Sequence, residues 1–197
     1  MRVGLLGGSF NPAHQGHLHI SRLALKRLRL DAVWWVVSPQ NPLKSTAGMA
    51  PLGERLANAA QVAAADECIL VTDLENRLGT RYAVDTLAIL IKEQPGTDFV
   101  WVMGADNLFQ VPRWKQWRRL FRMLPIAVFA RPSYSFRALS SRATRRFAAA
   151  RVRESRAGSL AGMSPPAWVY LNTRLDDTSA TRIRAEAASV GAHRTTA

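Results

Sequence analysis

Six short runs of almost wholly apolar residues recur along the chain, separated by stretches with helical spacing. They are VGLL at 3–6, VWWVV at 33–37, ILVT at 69–72, FVWVM at 99–103, IAVFA at 126–130 and WVYL at 168–171. A strand with one wet face alternates polar and apolar side chains. These runs do not alternate, so each must be covered on both faces. Between them, residues 16–30 space Leu18, Ile20, Leu23, Leu25 and Leu28 as a helix does. Residues 51–65 are alanine-rich and open on Pro51, which suits a first helical turn. Residues 82–93 read as a helix stopped by Pro95-Gly96. Residues 38–50 read as loop, 133–164 as a helix flanked by loops, and 179–189 as a final helix. This alternation predicts an α/β fold, a doubly wound parallel sheet with helices on both faces. Ligands of such sheets bind beyond the carboxyl ends of the strands, where strand order reverses. Residues that follow strands are therefore the ones to inspect.

The 197 residues suggest a single domain, 1–197, with enough apolar content for a sizeable core. The lone cysteine, Cys68, excludes an internal disulfide and a cysteine-based zinc site. The amino-terminal apolar stretch is too short for a signal peptide, and no window of about 18 apolar residues exists for a spanning helix. The expectation is a soluble, cytoplasmic protein without a membrane partner. The net charge of +13 is concentrated: residues 113–156 carry 13 basic side chains and one acidic, whereas 1–112 are neutral. Such a block suits polyanions, and equally describes a solvated arginine-rich surface.

The turn after the first apolar run reads GGSFNPAHQGHL, residues 7–18. Gly7 and Gly8 let backbone approach a ligand closely, since no Cβ intervenes. A helix start after a glycine turn attracts anions through its unpaired N–H groups and positive dipole end. His14 and His17, three apart, share a face if both lie in the first turn, and two imidazoles beside bare amides can donate hydrogen bonds to phosphate oxygens. No lysine follows as in a P-loop, and G-x-G-x-x-G is absent. Near the other terminus, DDTSATRIRAE offers a second capped helix start, with Ser179, Thr181 and Arg184 in its first turns.

Together these segments resemble a known family. G-x-F-x-P-x-H-x-G-H after a first strand resembles the first signature of the nucleotidyltransferase superfamily, and residues 178–184 resemble its I-S-x-T-x-I-R signature, with Thr178 where isoleucine is usual. SPQNPLK at 38–44, WVMGADNLFQVPRWKQW at 101–117 and FARPSY at 129–134 are similar to segments of bacterial nicotinate-nucleotide adenylyltransferases. The resemblance spans residues 3 to about 186 and carries nothing between about 135 and 166. It implies a Rossmann-like nucleotidyltransferase fold and adenylyl transfer from ATP to nicotinate mononucleotide, a step of NAD biosynthesis. It implies ATP contacts at Gly7, Gly8, Ser9, Phe10, His14, His17, Gly104, Asp106, Arg131, Ser179, Thr181 and Arg184, with His14, His17 and Arg184 catalytic. It implies mononucleotide contacts at Ser9, Lys44, Tyr82, Ala83, Thr86 and Trp114. Trp114 would stack on the pyridine ring and Lys44 would meet a phosphate. Mg²⁺ is the expected cofactor, bridging phosphates, with no metal-ligand set assigned on the protein.

Two departures stand out. TRYAVDTL places Ala83 where the family often has threonine, so base recognition leans on backbone N–H groups, which suit a nicotinate carboxylate. The tail after Arg184 is also short. Three other readings are open: a phosphopantetheine adenylyltransferase-like enzyme, a basic nucleic-acid-binding protein, and an oligomer surface on 113–156. Nucleic acid is not the expected partner, because that reading gives His14, His17 and the glycines no role. On a homo-oligomer the sequence is silent.

Overall fold

A computed structural model of the chain describes residues 1–40, 48–131 and 134–173. The elements run in chain order as β1 (Arg2–Gly8), α1 (Gln15–Leu28), β2 (Ala32–Val37), α2 (Leu52–Ala63), β3 (Ile69–Thr72), α3 (Leu74–Arg77), α4 (Ala83–Glu93), β4 (Asp98–Gly104), α5 (Ala105–Gln110), α6 (Trp117–Met123), β5 (Ile126–Phe129), α7 (Ser135–Leu139), α8 (Arg142–Arg146), β6 (Arg151–Val152) and β7 (Trp168–Leu171). Every strand pairing is parallel, in the order β3-β2-β1-β4-β5-β7-β6. The doubly wound sheet expected from the sequence is present. Its order reverses between β1 and β4, which lie side by side with Leu5 opposite Trp101.

The apolar runs divide by parity between two cores. Val3 and Leu5 of β1, Trp101 and Met103 of β4, and Ile126 and Val128 of β5 face α4, α5, α6 and α8. Leu6, Trp35, Val37, Val102, Ala127 and Phe129 face α1, α2 and the 3-10 helix Glu154–Gly162. Neither face of the central strands meets water, which accounts for their lack of polar alternation.

The segment 133–164 is not one helix flanked by loops. It holds the short helices α7 and α8, the two-residue strand β6 and a 3-10 helix over Glu154–Gly162. Gly158 and Gly162 weaken α-helix there. Trp168 Nε1 donates to Phe147 O at 2.8 Å, tying the end of α8 to β7. Pro51 is the residue before α2 rather than its first helical residue, and α3, α5 and α6 were not anticipated. The final helix expected at 179–189 lies outside the described residues, as does Lys44.

The basic block lies on the surface over an aromatic ridge. Phe121 stacks on Phe147 at 4.4 Å, and Trp117 meets both edge-on. Arg118, Arg146 and Arg151 lie over Trp117, Phe147 and Trp168 at 5.6, 5.6 and 5.3 Å. No described helix is long and apolar enough to cross a membrane.

Phe121 is buried at the centre of this ridge. Phe121→Ala removes both its stacking partner surface and its volume, and should cost about 3–5 kcal/mol of unfolding free energy in urea titrations.

Candidate active site

The carboxyl ends of β1, β4 and β5 bring the residues singled out in the sequence to one edge of the sheet. Gly7 and Gly8 end β1, Gly104 ends β4, and Arg131 follows β5. A Cβ on Gly7 would sit 2.7 Å from Trp101 Cη2, so the close neighbour that requires glycine there is the Trp101 ring. A Cβ on Gly104 would lie 2.5 Å from Asp106 Oδ1 and 3.1 Å from Arg131 Nε. Arg131 Nε and Asp106 Oδ1 stand 3.5 Å apart, a loose ion pair across the glycine.

His14 is the residue before α1, in extended conformation, and its Nδ1 accepts from Gly16 N at 3.1 Å. His17 Nδ1 accepts in turn from His14 N at 3.2 Å. The two rings lie 3.9 Å apart, so the pair does share a face. An imidazole nitrogen that accepts a hydrogen bond carries no proton, so in the neutral rings the proton sits on Nε2. Both side chains therefore present Nε2–H donors, oriented by backbone they also cap. Burial holds the His17 pKa well below the ordinary imidazole value. The charges of His14 and Arg131 act in the same direction and together these outweigh an opposing backbone hydrogen bond with His14.

Phe10 connects this pair to the core. Its ring stacks on Trp35 at 5.1 Å and lies 4.7 Å from His17. Its φ of 45° is a left-handed conformation that an aromatic residue adopts only under constraint. The carbonyl of the preceding Ser9 accepts from Arg55 Nη1 at 2.7 Å.

A second cluster lies across Trp101. Trp114 meets the Trp101 ring edge-on at 6.3 Å. Lys115 Nζ lies 4.4 Å over the Tyr82 ring and 3.0 Å from Asp85 Oδ2. Lys115, next to Trp114, thus reaches Tyr82 and Asp85 at the start of α4, which has no side-chain cap. Thr86 is buried, and its hydroxyl meets Thr80 Oγ1 at 2.7 Å and Tyr82 O at 3.3 Å. It shapes the start of the helix from within.

Lys44, Ser179, Thr181 and Arg184 lie outside the described residues. Arg55, Asn58, Glu75 and Lys115 were not anticipated. Arg55 had a signal: with Ala59 and Ala63 it occupies one buried stripe of α2 at a spacing of four, a cation on an apolar face. Asn58 Oδ1 accepts from Ala13 N at 2.8 Å, a contact with no local sequence mark. Among the described residues no three His, Cys, Asp or Glu side chains converge on a metal-sized site.

The chain and its fold resemble known proteins. A family model described as cytidylyltransferase-like matches residues 5–186. The chain is 50% identical over 184 residues to a probable nicotinate-nucleotide adenylyltransferase of Methylorubrum extorquens (strain PA1), covering 93% of this chain and 99% of that one. It is 52% identical over 185 residues to the protein of the same name from Cereibacter sphaeroides (strain ATCC 17025), covering 94% and 97%. Among solved structures, Plasmodium falciparum nicotinic acid mononucleotide adenylyltransferase complexed with NaAD is similar in fold, with a TM-score of 0.68 at 16% identity. That match covers 93% of this chain and 82% of the other.

Because the folded His17 resists protonation, its linkage to stability has a definite sign. Below the unfolded imidazole pKa of about 6.5 the unfolded chain takes up a proton that the native ring refuses, so stability falls as pH drops from 7. Burial raises the Glu75 pKa, which works in the opposite sense as pH falls toward the carboxylate range. His17→Gln removes the first contribution alone. Urea melts from pH 7 to 5 should show a smaller acid loss in the variant than in the parent.

Proposed function

The chain belongs to the nicotinate-nucleotide adenylyltransferase family, and we infer that it transfers the adenylyl group of ATP to nicotinate mononucleotide. The products are nicotinate adenine dinucleotide and pyrophosphate, in a step of NAD biosynthesis. The observation that carries the mechanism is the histidine pair: both δ nitrogens are held by backbone amides, so both rings are donors through Nε2 at the edge of a parallel sheet.

In this reading a 5′-phosphate oxygen of the mononucleotide attacks the α-phosphorus of ATP in line. A new P–O bond forms as the bond to the β-phosphate breaks, and pyrophosphate carries away the electron pair. The phosphate is itself the nucleophile, so no side chain is consumed. What the protein supplies is position and charge neutralisation. His14 and His17 donate to phosphate oxygens, with His17 nearest the reacting phosphorus. Arg131 adds positive potential to the same edge, and Asp106 steadies Arg131. Gly7, Gly8, Ser9, Phe10 and Gly104 form the backbone floor under the nucleotide. Ser179, Thr181 and Arg184 hold the departing pyrophosphate.

Trp114, Tyr82 and Ala83 receive the mononucleotide with Ser9 and Lys44, while Thr86 steadies the helix start behind them. The pyridinium lies on the Trp114 indole, and the uncapped amides of α4 face its carboxylate. Lys115 contributes positive charge at the same place, shared with Asp85. These features favour the acid over the amide mononucleotide. Mg²⁺ would arrive on the triphosphate and neutralise its oxygens, an ion content with phosphate and water ligands. Use of ATP accords with residence in the cytoplasm.

The test is pyrophosphate release from ATP and Mg²⁺ with each mononucleotide in turn. Turnover should be fastest with nicotinate mononucleotide, and absence of turnover with it would sink the reading. His17→Ala should lower turnover about 100-fold or more, the usual worth of a preorganised donor to developing charge. Trp114→Ala should raise KM for the mononucleotide with little change in KM for ATP, measured in the same assay.

A further inference from the structure

Arg55 is a buried cation held by backbone. It is 3% exposed, on the α2 stripe it shares with Ala59 and Ala63, and no carboxylate pairs with it among the described residues. Its guanidinium donates instead to four backbone carbonyls. Nε reaches Ala50 O at 2.9 Å, Nη1 reaches Ser9 O at 2.7 Å and Ser38 O at 2.8 Å, and Nη2 reaches Pro39 O at 2.9 Å. Those carbonyls belong to three segments: the turn after β1, the turn after β2 and the approach to α2. A buried charge is tolerable only where fixed dipoles replace water, and here the dipoles all come from turns at the active edge. Anchoring α2 to the sheet needs no such group, since the alanines on the same stripe do that.

We propose that Arg55 is a positioning residue for adenylyl transfer: by clamping the Ser9 carbonyl against Ser38 and Pro39, it fixes the turn that carries Phe10 and so aligns the His17 imidazole. The inference rests on the reaction assigned above. The path is short. Ser9 adjoins Phe10, whose left-handed backbone persists only while the surroundings hold it, and whose ring lies 4.7 Å from His17. Asn58, one turn along α2, grips the same turn at Ala13 N, and Asn11 bonds Gly48 O and Ala50 N, both at 3.1 Å.

The clamp also reaches the mononucleotide side. Ser38 Oγ donates to Glu75 Oε2 at 2.5 Å, Thr80 N donates to Glu75 O at 3.0 Å, and the Thr80 and Thr86 hydroxyls meet at 2.7 Å. A hydrogen-bonded path thus runs from Ser9 through Arg55 to the start of α4.

Arg55→Lys and Arg55→Gln test this. Lysine keeps the charge but lacks the planar fork that spans four carbonyls, and glutamine keeps some hydrogen bonding without the charge. Thermal melts establish that each variant is folded at the assay temperature. The variants should then lose about 30- to 100-fold in kcat, the usual cost of ångström-scale misplacement, with KM for both substrates within about threefold. ¹⁵N spectra of histidine-labelled protein should show the His17 ring resonances moved and those of His19 unmoved. A purely structural Arg55 would lower the melting temperature without either change. A folded variant with kcat within threefold of the parent and unshifted His17 resonances would overturn the proposal. Should Arg55→Gln fail to fold, Arg55→Lys carries both readouts. A parent that released no pyrophosphate would indict the reaction instead, and the His17 spectra would still decide the role of Arg55.

Discussion

A sheet buried on both faces leaves its strand ends as the place where polar chemistry can gather. That constraint organises this molecule. The apolar parity of β1, β4 and β5 fills two cores, and what remains at their carboxyl ends is glycine, imidazole, carboxylate and guanidinium. Trp101 marks the boundary between these regimes. It fills the space a side chain at residue 7 would need, and its ring meets Trp114 at right angles. The reversal of strand order between β1 and β4 then opens the crevice along which a long, two-part nucleotide substrate can lie.

Much of this was legible in the residues. The central strands announced themselves because burial on two faces forbids alternation, and the close spacing of His14 and His17 showed that they could act together. What escaped notice has physical reasons. β6 is two residues at an edge, paired with β7 alone, and Arg151-Val152 leaves no apolar run to read. The 3-10 turn over Glu154–Gly162 has helical polarity without α geometry. The backbone bonds that fix the histidine tautomers were hidden because histidine is not a usual helix cap. Arg55 was visible as a misplaced charge on an apolar stripe, but its four acceptors come from segments up to 46 residues away, which no local window brings together.

The concentration of arginine in 113–156 takes a definite physical form. Guanidinium groups lie within about 6 Å of the Trp117, Phe147 and Trp168 rings, close enough for the ring quadrupoles to stabilise them. The one acid in the block, Glu154, is engaged by Arg27 of α1 and by Asn172. Lys115 and Arg131 pair with Asp85 and Asp106, yet the block of 13 bases and one acid keeps a net positive charge, whose field at physiological salt extends about 8 Å into solvent. Anionic nucleotides approach a molecule of this kind with electrostatic assistance even where the charge is remote from the chemistry.

The use of histidine at the start of α1 sets stability against activity at a single position. Aspartate, asparagine and serine cap helices better, and a selection for thermal resistance alone would favour them at residue 14. Aspartate there would satisfy the same amide and complement the helix dipole. Under the proposed function it would also plant a negative charge beside the triphosphate, so the more robust protein would be the one that repels its own substrate.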